Sequence, residues 1–495
     1  MTTPIQAPDV STGPSPAGSA QRTSDLHRGI LSPLEVFAQS VANIAPTATP
    51  TLVIPLVFIV AGAGAWAAYA FALVVISLVA LNINQFARRS ASPGNIYTYI
   101  ALGLGPTAAI AIGWALLIAY IGTASAVTTG FTNYVNVLVQ EVFGWSGSLP
   151  PVALAGVVGL SILGAWFVAY KDVRLSTQLM LVFELVSVVL IVVVVVATFA
   201  THRGHLITDG LLLKGTGLAD LRLGLVLAVF SFVGFESATS LGSEAANPLR
   251  TIPRAVLRSA IFVGVLFIFA AYASVLGFNG RTQTLGTSSA PIQDLAGFAG
   301  LGFLSIPITV GAIVSFFACV LASVTAGARV LFQLSRHGYF HPSLGDAHAV
   351  NKTPHVAVTV TALAAFIPAA ILTALGNNLF SIYGWVGTTA TLAFIVSYIA
   401  VSIAAPVYLR RIGQLKAKHV VVAIVAVAFL LVAFVGAVYP LPPSPAQWPI
   451  FAFVVLLVGG FTFGFVQFRR SSVLQHGIRA DLAAIDSRVR AGVGA

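Results

Sequence analysis

The chain has 495 residues, 58% of them hydrophobic and only 8% charged, with a formal net charge of +11 and a mean hydropathy of +0.95. Soluble proteins carry about 25% charged residues, so composition excludes a soluble enzyme and predicts an all-α polytopic membrane protein. The cation excess then bears on which side of a bilayer each loop faces, not on nucleic acid.

Residues 1–30 are rich in Pro, Ser, Thr and Gly, with no apolar run before Ile30. They predict a disordered segment rather than a signal peptide. From Val36 to Ala87 there is no Asp, Glu, Lys or Arg, which leaves room for two spans of about 20 residues, divided at Ala61–Gly64. The first is interrupted by Pro46, Thr47, Ala48, Thr49 and Pro50. Each proline removes a backbone donor and clashes with the preceding turn, so a helix break is expected there. Without a ligand the same prolines would only kink the helix.

Ser90–Tyr99 is too polar to span. A third span fits Thr107–Val139 and carries Tyr120; a fourth fits Val152–Tyr170; a fifth, Leu175–Ala200, contains Glu184. A polar loop over 201–222 precedes the sixth span. There Phe230, Ser231, Phe232, Val233, Gly234 and Glu236 fall within an apolar run. A carboxylate at membrane depth costs about 3 kcal/mol or more unless protonated, paired or facing water, so Glu236 is a functional candidate. Gly234, two residues before it, is where the helix can break if the freed backbone lines a cavity. The polar turn Glu244–Ala255 follows, with Asn247, Pro248, Arg250, Pro253 and Arg254.

Span seven is Ala255–Phe278, and 279–304 is a small-residue loop with a short surface helix at Ile292–Phe298. Span eight covers Ser305–Leu334, where Ser323 and Thr325 are candidates to face Glu184. Residues 353–409 and 419–468 lack Lys, Arg, Asp and Glu and hold two spans each. Gly156/Gly159 and Gly460/Gly464 are expected to be sites of close helix packing. With twelve spans and a cytoplasmic N-terminus, 21 of the 25 Lys and Arg fall on the cytoplasmic side and four outside, as the positive-inside bias requires.

Gly234-Phe235-Glu236 with Glu244, Asn247-Pro248, Arg250, Ile252-Pro253-Arg254-Ala255 resembles the sixth helix and following loop of the amino acid–polyamine–organocation permease superfamily. Ser231–Ala238 is most similar to its arginine–agmatine antiporter branch. Ser92–Tyr99 resembles the P-x-G-G-x-Y-x-Y element of that family, with Asn95 where a second glycine is usual, and Arg329–Pro342 resembles a further motif.

The resemblance implies a five-plus-five inverted-repeat, LeuT-like fold with helices 1 and 6 broken at midplane. The transport core would be 31–410, followed by helices 11 and 12 at 411–468 and a cytoplasmic tail at 469–495. Half-helix ends attract a carboxylate at their N–H side and an amino group at their carbonyl side. By resemblance, the backbone around Thr47, Ala48 and Thr49 would hold the first and carbonyls around Phe230, Ser231, Phe232 and Val233 the second, with Ile44, Ala45 and Gly234 also at the substrate site. Phe230 falls at the family's aromatic lid, although it could equally be a packing residue. Glu184 stands where many members carry a lysine and sodium-coupled relatives bind sodium. Glu184 and Glu236 are thus candidates to couple transport to a proton rather than Na⁺; a structural acid is the alternative for Glu184.

Three readings remain open: an amino acid or amine permease of the cell membrane, an exchanger or polyamine carrier, and a membrane sensor or enzyme that moves nothing. No metal, cofactor or nucleic acid is expected, and the sequence leaves oligomeric state undetermined.

Overall fold

The computed structural model describes residues 26–470, apart from 91, 93, 145–146, 203–212, 214–215 and 289. Expectations for residues 1–25, for the tail after 470 and for most of the 201–222 loop lie outside these. Among the described residues all regular elements are helical, and ten helices are long and apolar enough to cross a membrane.

In chain order, α1 (Pro33–Ile44) and α2 (Ile54–Ala61) form one interrupted run, and α3 (Ala65–Ala87) follows the turn Gly62–Gly64. Next come α4 (Asn95–Leu104), α5 (Pro106–Phe143), α6 (Pro151–Lys171), α7 (Val173–Thr201) and α8 (Leu218–Phe230). A second interruption separates α8 from α9 (Pro248–Phe278). Then α10 (Pro291–Phe298), α11 (Ser305–Arg336), α12 (His355–Ala374), α13 (Leu379–Arg411), α14 (Ala417–Val438) and α15 (Trp448–Arg470) complete the order.

Local chemistry fixes several ends. The Ser32 hydroxyl accepts from the Glu35 N–H at 3.3 Å while Glu35 Oε2 accepts from the Ser32 N–H at 2.7 Å. This capping box, with Pro33 just inside, starts α1. Asp172 and Asn378 cap α7 and α13 through their side-chain oxygens.

Burial is inverted relative to a soluble protein. On α7, Val182, Leu185, Val189, Val193 and Val196 are exposed at helical spacing, whereas Glu184, Ser187 and Ile191 face inward. The outer stripe suits lipid; the polar residues line the interior.

The packing has a two-fold pattern. Helix α3 packs on α9, α5 on α11 and α6 on α12. Helix α5 also meets α13 as α11 meets α7, and α1 meets α9 as α8 meets α3. Exchanging the two halves maps each contact onto another, as a five-plus-five repeat of the LeuT-like kind requires. Small residues allow the close approaches. A Cβ on Gly130 of α5 would come within 2.6 Å of the Phe316 ring on α11.

Two sequence expectations need correction. The helix at Pro291–Phe298 is not a surface helix, because Pro291, Ile292, Gln293, Leu295 and Ala296 are buried and Leu295 Cδ1 would lie 2.2 Å from a Cβ on Gly277. Close packing holds at Gly460 and Gly464, where a Cβ would strike Trp114 and Tyr339, but not at Gly156, around which a Cβ meets nothing within 4 Å. As expected, the polar stretch before span three does not span; it leads into a short buried helix, α4, whose Asn95 and Tyr97 find interior partners.

Candidate functional site

Each interruption has a local cause. Helix α1 ends at Ala45, which is left-handed at φ 53°, immediately before Pro46. Pro50 then forces the next turn into a wide π-type coil over Thr49–Val53 before α2 resumes. Helix α8 ends at Ser231, and loose turns run through Gly234 at φ 90° to a short 3₁₀ segment, Ser237–Leu241. Only glycine fits at 234: its φ is disfavoured for L side chains, and a Cβ would lie 2.0 Å from Asn43 Nδ2.

The two breaks clasp each other. Asn43 Nδ2 donates to the Gly234 carbonyl at 3.4 Å, Ser237 Oγ donates to the Gln39 carbonyl at 3.1 Å, and the Ala238 N–H donates to Ser40 Oγ at 3.1 Å. Helix α11 braces the crossing, since Ser323 Oγ donates to Asn43 Oδ1 at 2.7 Å.

A small cavity lies where they cross. It is lined from the breaks by Asn43, Ile44, Ala45, Thr49, Phe230, Ser231 and Val233, and from α5, α11 and α13 by Thr123, Ala126, Val127, Cys319 and Tyr383. Its volume of about 20 Å³ suffices for one water. Phe230 closes one side, edge-on to Tyr383 at 5.9 Å and against Gly387, where a Cβ would come within 2.5 Å of the Phe230 ring. The lining supplies backbone ends, hydroxyls, an amide and two aromatic faces, and no charged side chain.

Glu236 lies just beyond, fully buried. Tyr120 donates to its Oε1 at 2.6 Å and Tyr398 to its Oε2 at 2.5 Å. Each tyrosine oxygen in turn accepts a bond, from Asn95 Nδ2 at 2.5 Å and from the Gly234 N–H at 3.1 Å. The orientation of the Asn95 amide is determined, because its Oδ1 accepts from the Ile96 N–H at 2.6 Å and from Thr239. All these donors therefore run toward Glu236, which is left as a pure acceptor. Asn95 adopts φ 54°, a left-handed conformation asparagine tolerates, and that explains its presence where a glycine is usual.

Glu184 sits differently. Its carboxyl oxygens receive one group, the Ser315 hydroxyl, at 3.0 and 3.1 Å. Ser323 and Thr325 do not face it: Ser323 is engaged with Asn43, and Thr325 Oγ1 is buried without a partner among the described residues. Ser315 stands two turns earlier on α11, level with Glu184 along α7. No ion pair reaches Glu184 or Glu236 among the described residues.

The loop after the second break is tied inward. Arg329 of α11 forks onto Glu244 with both nitrogens at 2.8 Å, both side chains buried. Asn247 is left-handed at φ 50° before Pro248 opens α9, and the Pro253 carbonyl accepts from Asn84 Nδ2 at 3.0 Å. Arg250 and Arg254 point outward and are exposed.

A family model for amino acid permeases matches residues 35–470, nearly the whole described chain. The chain belongs to the amino acid permease family. Among its curated relatives are the branched-chain amino acid permease BcaP of Bacillus subtilis, 24% identical over 60% of this chain and 65% of that protein, and the low-affinity putrescine importer PlaP of Escherichia coli, 28% identical over 58% and 63%. The chain thus spans just under two-thirds of the length of these two. A methylthioribose transporter of Bacillus subtilis is 26% identical over 80% of this chain and 84% of its own.

Of the residues singled out in the permease sequence, Ile44, Ala45, Thr49, Phe230, Ser231 and Val233 line one cavity, and Tyr120 holds Glu236. Thr47, Ala48, Phe232 and Gly234 do not line it. Ala48 is in the core, Phe232 stacks edge-on with Phe267 at 5.4 Å, and the buried Thr47 hydroxyl has no partner among the described residues. Sequence reading missed Asn43, Thr123, Tyr383, Tyr398 and Ser315. The available signal was polarity: Tyr383 and Tyr398 lie in a stretch without charge, where a tyrosine hydroxyl requires a partner.

Proposed function

We propose that this permease carries a small amino acid or amine across the cell membrane by alternating access. The reading takes twelve spans, with α1–α2 and α8 through the 3₁₀ segment each counted as one interrupted span, and both termini cytoplasmic. One observation carries it: two helix breaks from opposite halves meet at a single uncharged polar cavity. A zwitterion satisfies N–H and carbonyl ends together without needing a charged side chain. Relatives named for amino acids and for putrescine support this substrate class. The cavity is too small for such a ligand as it stands, so Phe230 and its neighbours must move apart to admit one.

For coupling we favour a proton carried by Glu184. A lone serine hydroxyl serves a carboxyl and a carboxylate alike, whereas the two tyrosine donors around Glu236 favour its ionised form. Glu236 then braces the second break through its two tyrosine partners. Exchange of two solutes is the second reading, since occlusion of the cavity by Phe230 against Tyr383 and Gly387 serves either mode of transport.

The test is uptake and counterflow by purified protein in proteoliposomes, across amino acids, diamines and polyamines. Net uptake driven by an imposed pH gradient supports the first reading, and counterflow without net uptake supports exchange. Ligand-induced thermal stabilisation without any flux would make the protein a sensor and sink both.

A further inference from the structure

We propose that the outer face of α9 binds an anionic phospholipid, with the headgroup phosphate among Arg88, Arg250, Arg254 and Arg258 and an acyl chain in the adjoining apolar groove. Two cavities support this. One, of about 310 Å³, is lined by those four arginines together with Asn84 and Pro253. The other, of about 590 Å³, is lined by Leu34, Phe37, Ile261 and Phe262. Arg254 and Arg258 line both, so the two form one continuous site, basic at one end and greasy at the other.

Its position suits a lipid. Arg88 caps the end of α3 and the other three arginines occupy the first three turns of α9. They therefore sit at the ends of neighbouring spans, where guanidinium groups reach the headgroup layer. All four are exposed, and no carboxylate pairs with any of them among the described residues. Four like charges gathered without a counter-ion favour an anion, and guanidinium matches phosphate through paired N–H donors. Basic pockets between membrane helices are a recurring form of anionic headgroup site. The groove below is apolar and outward-facing, with Leu34, Ile261 and Phe262 each 44–55% exposed. A soluble phosphate would leave that half of the site unused.

The site also touches the transport machinery. Phe37 of α1 packs against Phe262 of α9 at 6.1 Å, so a lipid in the groove contacts the broken helix. None of this depends on the identity of the substrate.

Native mass spectrometry of detergent-purified protein tests it, with phosphatidylglycerol and phosphatidylcholine as probes. Wild type should retain phosphatidylglycerol in preference, and the double variant Arg254→Gln/Arg258→Gln should bind it roughly 30-fold more weakly. Arg254→Lys/Arg258→Lys should recover much of the binding. Phosphatidylglycerol should also raise the melting temperature of wild type but not of the glutamine variant, whose own melting curve reports whether it is folded. The proposal fails if the variant retains the lipid like wild type or if phosphatidylcholine binds equally. Displacement of the lipid by inorganic phosphate would reassign the basic end to a soluble anion. A wild-type dimer lost in the variant would reassign the groove to a second copy of the chain.

Discussion

Replacing each buried glutamate by glutamine separates the two roles assigned to them. At Glu236 the tyrosine hydroxyls both donate, and their oxygens are already occupied by Asn95 Nδ2 and the Gly234 N–H. Glutamine presents one acceptor and one amide donor, so one hydroxyl loses its acceptor. The loss of one hydrogen bond to a charged group, with a buried donor left unsatisfied, costs about 2–4 kcal/mol. That is a large share of ordinary folding stability, which is about 5–15 kcal/mol. At Glu184 the Ser315 hydroxyl can donate to the amide oxygen as well as to a carboxyl, so Glu184→Gln should cost under about 1 kcal/mol. Melting of the purified proteins should therefore fall markedly for Glu236→Gln and little for Glu184→Gln. In proteoliposomes the order should reverse: Glu184→Gln should lose accumulation driven by a pH gradient while still binding substrate. If Glu184→Gln still concentrates substrate under that gradient, or if Glu236→Gln melts like wild type, the division of labour is wrong.

Gly234→Ala should add about 1–2 kcal/mol of backbone strain and push Asn43 off both its partners, so that substrate binding and melting temperature fall together. Ala48→Leu should overpack a buried position by about 1–3 kcal/mol and lower thermal stability; an effect on affinity alone would put Ala48 on the cavity after all. Phe230→Ala should weaken substrate affinity in equilibrium binding with little change in melting, because Phe230 borders the cavity. Cysteine at Asn279 should react with an impermeant maleimide in intact cells and cysteine at Leu415 should not; equal labelling would overturn the proposed orientation.

The fold was legible wherever membrane physics dictates it. Charge-free runs marked the spans, and Pro46, Pro50 and Gly234 marked both breaks because a proline or a left-handed glycine leaves few helical options. The depth of the acidic residues was legible too. Their partners were not. Tyr398 is 162 residues from Glu236, and Ser315 is 131 from Glu184, and no local pattern encodes which faces of two long apolar helices meet. The naming of Ser323 and Thr325 while Ser315 went unnoticed shows the limit: Ser315 and Ser323 lie eight residues apart on one helix, and the height of α11 against α7 decides between them. The departure at Asn95 was visible in sequence, but its meaning required φ 54° and the three hydrogen bonds of its side chain.

The ties between these helices differ in strength, and that ranks the ways in which the closed crossing could open. The clasp of α1 on the second break consists of three buried hydrogen bonds that α11 reinforces through Ser323. Separating these elements would strand several buried polar groups at once, at about 1–3 kcal/mol each. Beyond it, Glu244 and Arg329 form a buried two-pronged pair, 0% and 3% exposed; breaking such a pair costs about 3–5 kcal/mol. By contrast, the start of α1 is held to α7 by Glu35 with Arg174, at 3.4 Å and with the arginine 59% exposed, and with Gln178 at 3.1 Å. An exposed pair is worth about 0–1 kcal/mol. By these polar ties alone the seam between α1 and α7 is the cheapest to part, and the two broken helices are cheaper to move as one unit than to pull apart. Helix α7 also carries Glu184, turned toward Ser315 of α11, so motion along that seam moves the group proposed to carry the proton.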